Sequence, residues 1–250
     1  MQVNLNNKVA LVTGAAHRVG RAIAVELARQ GADILVHYHS AGAELTRDAV
    51  REIKSSGVSA HSVRADLAQP AEIEALFAEL SDRFGRLDIV VNNAAIFQAR
   101  QLLEVSQADW DLTMAVNLRA PFLVTQHAAR LMAQNALPGG VIINICDAGA
   151  NAPWQKYPHH GISKSALWML TQVSALSLGP AIRVNAIAPG PVMKTAGRKI
   201  SDEDWARVGQ RSVLQKTGSP DDVARAVAFL CREDHITGTL LQVNAGEHLR

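Results

Sequence analysis

The sequence predicts an α/β protein, a single domain over residues 1–250 built on a doubly wound parallel sheet of about seven strands flanked by helices. Short apolar, β-rich runs alternate with amphipathic helical segments along the whole chain. The 250 residues are 48% hydrophobic and only 4% aromatic, which suits one large aliphatic core.

The first unit, residues 9–30, predicts a strand, a Gly-containing turn and a helix. Gly14 allows a sharp turn after the strand, and Gly20 allows the helix to begin close to it. Backbone N–H groups at the start of the helix would then face an anionic ligand, and we expect a dinucleotide. The alternative is an ordinary βα turn, since two spaced glycines alone are weakly specific.

The remaining elements follow in alternation. We expect strands at residues 33–38, 60–64, 89–91, 140–145, 182–187 and 239–243. We expect helices at residues 44–55, 71–84, 109–135, 159–178 and 221–230, the third of them bent by Pro121. Ligands should bind at the carboxyl ends of the parallel strands. The irregular segment 190–201 is predicted to be a mobile substrate lid.

Composition excludes several classes of partner. The net charge is +2 and the basic residues are scattered, so we expect neither nucleic-acid nor membrane binding. Cys146 and Cys231 are far apart and lack metal-ligand spacing, so we expect reduced thiols, no metal and no disulfide. No signal segment or membrane-length apolar run is visible, so a soluble, cytoplasmic protein is expected.

A set of short motifs is spread over the chain in a fixed order. They are Thr13-Gly14 through Gly20, Asp66-Leu67, Asn92-Asn93-Ala94-Ala95, Asn117, Ser163-Lys164 and Asn185 through Gly190. In this order and at these spacings they resemble the short-chain dehydrogenase/reductase family over essentially the whole chain. The resemblance implies a Rossmann fold, a nicotinamide cofactor, a small-molecule substrate and a homotetramer or homodimer.

The resemblance also implies which residues contact the cofactor. They are Gly14, His17, Arg18, Val19, Gly20, His39, Ser40, Asp66, Leu67, Asn93, Ala94, Lys164, Pro189 and Gly190. The second strand ends without the carboxylate that would accept a hydrogen bond from a ribose 2′-hydroxyl, and His39 and Ser40 offer donors instead. NADP(H) is therefore favoured over NAD(H). His37 and His39 can also be read as surface or packing residues, one of them facing solvent.

Within the family, the sequence most resembles the pteridine reductases. Arg18 replaces the middle Gly of the usual turn, the run 37–40 closes strand two, Phe97 follows the Asn-Asn-Ala motif, and Asp147 stands where Ser is usual. The resemblance implies that Phe97 stacks a flat ring on the nicotinamide, although it could equally cap the core. Arg18 places a cation beside the pyrophosphate and could reach the substrate, or it could be a solvated residue. Ala95 departs from the pattern, because pteridine reductases carry a hydroxyl residue there.

The catalytic stretch departs from the family pattern. The family places a Tyr four residues before the helix Lys, one turn away on the same face, and here that position is His160 before Lys164. Asp147 lies thirteen residues before His160, the separation expected of the two catalytic positions. Tyr157 does not replace the missing Tyr, because it is about 10 Å from Lys164 along the helix axis. The predicted catalytic set is Asn117, Asp147, His160 and Lys164, and the predicted substrate contacts are Arg18, Phe97, Asp147 and His160.

The role of His160 depends on its charge. The Lys164 cation disfavours an imidazolium and the Asp147 carboxylate favours one, so the sequence leaves the balance open. An imidazolium paired with Asp147 could protonate a ring nitrogen while NADPH delivers hydride to the adjacent carbon, which predicts reduction of a pterin-like C=N bond. The alternatives are a carbonyl reductase or alcohol dehydrogenase of the same fold, and an NADP(H)-binding protein with little turnover. The resemblance implies that Lys164 binds the nicotinamide ribose and that Asn117 positions Lys164 through water.

Overall fold

The computed structural model describes residues 3–137, 139–150, 152–194 and 199–250. Its strands are β1 (Val9–Val12), β2 (Asp33–Tyr38), β3 (Ala60–Arg64), β4 (Ile89–Asn92), β5 (Gly140–Ile145), β6 (Ile182–Pro189) and β7 (Leu240–Val243). Its helices are α1 (Arg18–Arg29), α2 (Ala43–Lys54), α3 (Pro70–Phe84), α4 (Gln107–Met114), α5 (Ala120–Met132), α6 (Pro158–Leu178), α7 (Asp202–Gly209) and α8 (Pro220–Arg232).

The strands form one parallel sheet in the order β3-β2-β1-β4-β5-β6-β7. The chain starts at β1, extends the sheet outwards to β3, and then returns to place β4 on the other side of β1. The order thus reverses between β1 and β4, and a crevice for a ligand opens there at the carboxyl ends of the strands. The predicted fold class is confirmed.

Alternate residues of each strand face two separate apolar layers. In β1, Ala10 and Val12 pack towards α1 and α8, whereas Leu11 packs towards α3 and α5. All three side chains are fully buried. Burial on both faces explains why the strands read as continuous aliphatic runs, and it removes the sheet faces from water.

The predicted single helix over residues 109–135 is wrong in one respect. A π-helical turn, Ala115–Arg119, separates α4 from α5. Pro121 has no N–H to donate to the carbonyl of Asn117, and its ring would crowd that carbonyl in a regular α-helix. The wider π turn accommodates the proline, and it carries the fully buried Asn117.

Other boundaries differ from the predicted ones by one or two residues, but α7 was not predicted. Its N-cap is Ser201, whose hydroxyl accepts a hydrogen bond from the Asp204 N–H. Residues 190–194 and 199–201 form neither helix nor strand, as expected of the irregular segment, while residues 195–198 of the predicted lid lie outside the described ranges.

Cys146 and Cys231 are both free and buried, and burial raises the pKa of each thiol to about 12. These thiols are therefore unreactive. Across the described ranges, no helix is both long and apolar enough to cross a bilayer, and no three His, Cys, Asp or Glu side chains cluster as metal ligands would.

Candidate active site

The turn after β1 is fastened to the segment after β4. The Thr13 hydroxyl oxygen accepts hydrogen bonds from the N–H groups of Asn93, at 2.9 Å, and Ala94, at 3.0 Å. The Asn93 side-chain Nδ2 donates in return to the Thr13 carbonyl at 2.8 Å. Side-chain and backbone hydrogen bonds thus hold the two sides of the crevice at a fixed separation.

The two glycines of this turn are required by its geometry. Gly14 has φ +66°, a left-handed conformation that favours glycine. A β-carbon at Gly20 would lie 2.3 Å from the Gly14 carbonyl oxygen and 2.6 Å from Asn93 Nδ2. The N-cap of α1, His17, makes no side-chain cap, and the first turn holds no acid. Uncapped N–H groups directly behind a tight turn fit the pyrophosphate of a dinucleotide.

Arg18 adopts an uncommon backbone conformation within this turn. Its φ is +56°, which costs a non-glycine residue about 1–2 kcal/mol. Its guanidinium donates to the Lys194 carbonyl at 2.9 Å. Arg18 therefore connects the phosphate turn to the segment after β6.

His37, which the sequence left as a surface or packing residue, is buried beneath the turn. Its Nδ1 accepts from the Gly14 N–H at 3.1 Å, so its Nε2 carries the hydrogen and donates to the Ala65 carbonyl at 3.0 Å. Burial lowers the pKa of His37 to about 4, which keeps the ring neutral near pH 7. His39 and Ser40 are exposed at the end of β2.

The other predicted cofactor residues lie along the same edge of the sheet. Asp66 turns the chain after β3, where its Oδ1 accepts from the Ala68 N–H at 2.9 Å, and Leu67 is buried in the core. Val19 is half-buried against the core beside the turn. Pro189 ends β6, and the Gly190 N–H donates to the Val243 carbonyl at 3.1 Å.

The structure brings Asp147 and His160 into direct contact. His160 Nε2 lies 2.5 Å from Asp147 Oδ2, and Nδ1 lies 3.0 Å from the Ile96 carbonyl oxygen. A carbonyl oxygen only accepts, so we assign a hydrogen to Nδ1, and a second proton must lie between Nε2 and Oδ2. On this assignment the pair is an imidazolium and a carboxylate joined by one hydrogen bond. Asp147 Oδ1 is buried without a hydrogen-bond partner among the described residues.

Asn117 connects the elements around this pair. Its Oδ1 accepts from the Ile96 N–H at 2.7 Å, and its Nδ2 donates to the Ile96 carbonyl at 3.0 Å and to Ser163 Oγ at 3.1 Å. Both Nδ2 hydrogens are thereby used. His160 Nδ1, 3.4 Å from the same Nδ2, therefore donates to Ile96 and does not accept from Asn117.

Lys164 lies one turn after His160 and is 3% exposed. Its Nζ donates to the Ile145 carbonyl at 2.7 Å, at the carboxyl end of β5. The described residues include no hydrogen bond between Lys164 and His160. An ammonium has three donors, so two remain for a ligand at this edge.

An aromatic group lines the entrance to the catalytic pair. Phe97 stacks on Tyr157 with ring centroids 4.3 Å apart, and its ring is nearly perpendicular to that of His160 at 4.7 Å. Trp154 contacts Phe97 edge-on at 6.1 Å. Phe97 is 41% exposed, so one part of its ring is open to a ligand.

Sequence reasoning missed several members of the site. Trp154 was not singled out, and Tyr157 was considered only as a replacement for the catalytic Tyr, although two aromatic residues just before α6 are conspicuous in an aromatic-poor chain. Ile96 contributes its backbone N–H and carbonyl, which almost any residue would supply, so its residue type does not indicate this role. Ser163 was assigned only as part of a motif.

Comparison with known proteins identifies the protein family to which the chain belongs. A family model described as enoyl-(acyl carrier protein) reductase matches residues 14–248. The 3-oxoacyl-[acyl-carrier-protein] reductase FabG of Aquifex aeolicus is 34% identical, over 98% of this chain and 99% of the relative. A short-chain dehydrogenase from Burkholderia cenocepacia J2315 in complex with NADP is 34% identical, with a TM-score of 0.88 and coverage of 98% and 99%. The angucycline C-6 ketoreductase LanV with bound NADP is 35% identical, with a TM-score of 0.90 and coverage of 99% and 98%.

The parallel sheet, the glycine turn and these matches define an NAD(P)-dependent oxidoreductase with a Rossmann fold. The chain belongs to the short-chain dehydrogenase/reductase family. The narrower resemblance to pteridine reductases stays a prediction.

The Gly20 contact can be tested by substitution. Gly20→Ala forces the turn open, and we expect a loss of about 1–3 kcal/mol in the free energy of unfolding by urea titration. Dinucleotide affinity, measured by calorimetry, should fall at least about tenfold. Gly161→Ala is the control, because its β-carbon would meet only the Gly149 carbonyl at 3.7 Å. Normal dinucleotide binding by Gly20→Ala would contradict the assignment of this turn to the pyrophosphate.

Proposed function

We propose that this protein is an NADPH-dependent reductase that transfers hydride to a C=N bond of a flat, pterin-like heterocycle. The observation that carries the proposal is the Asp147–His160 pair, in which a partly exposed carboxylate is hydrogen-bonded to the ring. The Asp147 side chain is 17% exposed, so a substrate nitrogen can approach its carboxylate and form a hydrogen bond with it.

The proposed cofactor is NADPH. The end of β2 carries the exposed His39 and Ser40 and no carboxylate that would repel a 2′-phosphate. Both solved relatives named above contain NADP, which supports the same choice. The turn from Gly14 to Gly20 would hold the pyrophosphate, and Lys164 Nζ would bind the nicotinamide ribose. The bound nicotinamide supplies the hydride.

In the proposed reaction, the substrate carbon receives the hydride and the electron pair of the C=N bond moves to nitrogen. We propose that the proton moves from His160 Nε2 to Asp147 Oδ2 and from that oxygen to the substrate nitrogen, which leaves a neutral His160 and an ionised Asp147. In this scheme His160 acts through Asp147, because both ring nitrogens are engaged by Asp147 and Ile96, and direct contact of His160 with the substrate stays a prediction. One proton taken up from solvent restores the pair.

The aromatic group supports a flat substrate. Phe97, Trp154 and Tyr157 surround the approach to His160 and offer ring faces and edges to a heterocycle. Arg18 remains a candidate for contact with both cofactor and substrate. Its guanidinium reaches the Lys194 carbonyl at the same edge of the sheet.

Carbonyl reduction is the second candidate. FabG and LanV are named as reductases of 3-oxoacyl chains and of an angucycline ketone, which favours a C=O substrate. The same catalytic pair could protonate an alkoxide. A third candidate function is NADP(H) binding with little turnover. It applies if the protein binds NADPH but reduces neither C=N nor C=O substrates.

We also propose that the chain forms a homotetramer or homodimer. Met169, Val173 and Leu176 form an exposed apolar stripe on α6, and Phe122 of α5 is 44% exposed. An open groove of about 860 Å³, lined by Phe122 and Leu170 among others, lies against α4, α5 and α6. A second copy placing its own α5 and α6 there would cover these residues. A cytoplasmic location stays a prediction from the sequence.

Cofactor preference is the first test. NADPH should bind at least tenfold more tightly than NADH, a difference of about 1.4 kcal/mol measured by calorimetry. Ser40→Asp should reduce that preference by placing a carboxylate near the 2′-phosphate. Ser81→Asp adds the same charge on α3 and should leave the preference unchanged. Equal wild-type dissociation constants would refute the NADPH assignment.

The second test concerns the catalytic pair, Asp147 and His160. The measurement is the rate of NADPH consumption with a panel of dihydropterins and a panel of ketones. Asp147→Asn should lower kcat by about 10²–10⁴-fold, because the amide cannot carry the proton. His160→Tyr restores the family donor one turn before Lys164, so carbonyl or pterin turnover should rise.

Three outcomes would weigh against the catalytic proposal. An Asp147→Asn rate equal to the wild-type rate would exclude the pair as the source of the proton. If the protein reduced ketones but not pterins, the proposed reaction would be wrong and the protein would be a carbonyl reductase. Normal NADPH binding without turnover by either the wild type or His160→Tyr would identify a binding protein.

Assembly is tested by light scattering at micromolar concentration, where the wild type should be a dimer or tetramer. Val173→Lys places a charge in the centre of the α6 stripe and should shift the protein towards monomer. Leu137→Lys is the control, since Leu137 is 85% exposed and lies outside the stripe. A monomeric wild type would refute the proposal.

A further inference from the structure

Arg64, the last residue of β3, lies beside the end of β2 at the carboxyl edge of the sheet. The strand register pairs Arg64 with Tyr38, and Arg64 Nε donates to the His39 carbonyl at 3.2 Å. The side chain is exposed. Its guanidinium is therefore held next to the segment that would bind the adenosine ribose of a dinucleotide.

The charge of Arg64 is not neutralised by the described part of the chain. No carboxylate there lies within salt-bridge distance of Arg64, and its two terminal nitrogens make no hydrogen bond to these residues. By contrast, Arg51 and Arg83 each pair with a carboxylate of their own helix. The Nε bond orients the guanidinium plane while leaving the terminal N–H groups available.

We propose that Arg64 recognises the 2′-phosphate of NADPH and so sets the cofactor preference. A phosphate monoester carries about −1.5 to −2 charges at pH 7 and three acceptor oxygens. A planar guanidinium with free terminal N–H groups matches two of those oxygens at once. This inference rests on the proposed preference for NADPH, and it adds a residue from β3 to His39 and Ser40.

Two roles of Arg64 predict different effects on the two cofactors. A purely structural Arg64 that braces the His39 carbonyl would support NADPH and NADH equally, because both place the same adenosine at the end of β2. A phosphate-binding Arg64 would support only NADPH, because the 2′-hydroxyl of NADH has no charge. The ratio of the two affinities therefore separates recognition from bracing.

The experiment measures dissociation constants for NADPH and NADH by calorimetry on the full-length wild type, Arg64→Gln, Arg64→Lys and Arg29→Gln. Arg64→Gln should weaken NADPH by about tenfold or more and leave NADH within about twofold. Arg64→Lys should retain part of the NADPH affinity through its charge. Arg29→Gln removes the same charge at the opposite end of α1 and should change neither constant.

The outcomes distinguish this inference from the proposed function. If the wild type prefers NADPH and Arg64→Gln keeps that preference, the role of Arg64 is overturned and the NADPH assignment stands. If Arg64→Gln weakens both cofactors equally, Arg64 is a structural brace only. If the wild type shows no preference, both the NADPH assignment and the role of Arg64 are overturned.

Discussion

The pairing of the Asn117 side chain with the backbone of Ile96 is the constraint on which the candidate site depends. One amide satisfies both the N–H and the carbonyl of Ile96 and still donates to Ser163 on α6. Without Asn117 the half-buried Ile96 N–H would lose its partner, at a cost of about 1–3 kcal/mol, and the carbonyl would keep only His160. The loop after β4 is therefore fixed against α6, and with it the position of Phe97 relative to His160.

The protonation of the catalytic pair follows from this constraint. Because Asn117 holds the Ile96 carbonyl 3.0 Å from His160 Nδ1, that nitrogen is committed to donate. The opposite edge of the ring then meets Asp147 Oδ2 at 2.5 Å, where Nε2 donates to the carboxylate. A π turn, a main-chain carbonyl and a carboxylate thus fix both nitrogens of the His160 ring, and Asp147 is the more exposed member of the pair.

Much of this arrangement could be predicted from the sequence, because periodic burial and fixed spacings encode it. The alternation of aliphatic strands and amphipathic helices determined the fold class, and the thirteen-residue separation placed Asp147 near His160. The charge balance at His160 could not be resolved, since the deciding partner is the carbonyl of Ile96. The role of His37 was missed for a similar reason, because its partners are the backbone groups of Gly14 and Ala65. Main-chain partners have no residue-type signature.

The clamp between Thr13 and Asn93 has a consequence for how the protein forms during synthesis. The two residues are separated by 80 positions, so their hydrogen bonds require closure of a long loop and lateral association of β1 with β4. The phosphate turn is complete only after β4 has left the ribosome and docked. By contrast, Asp147 and His160 are only 13 residues apart and can meet within one local segment. Binding of the cofactor therefore requires that β1 and β4 have already paired. Contact between Asp147 and His160 does not require that pairing.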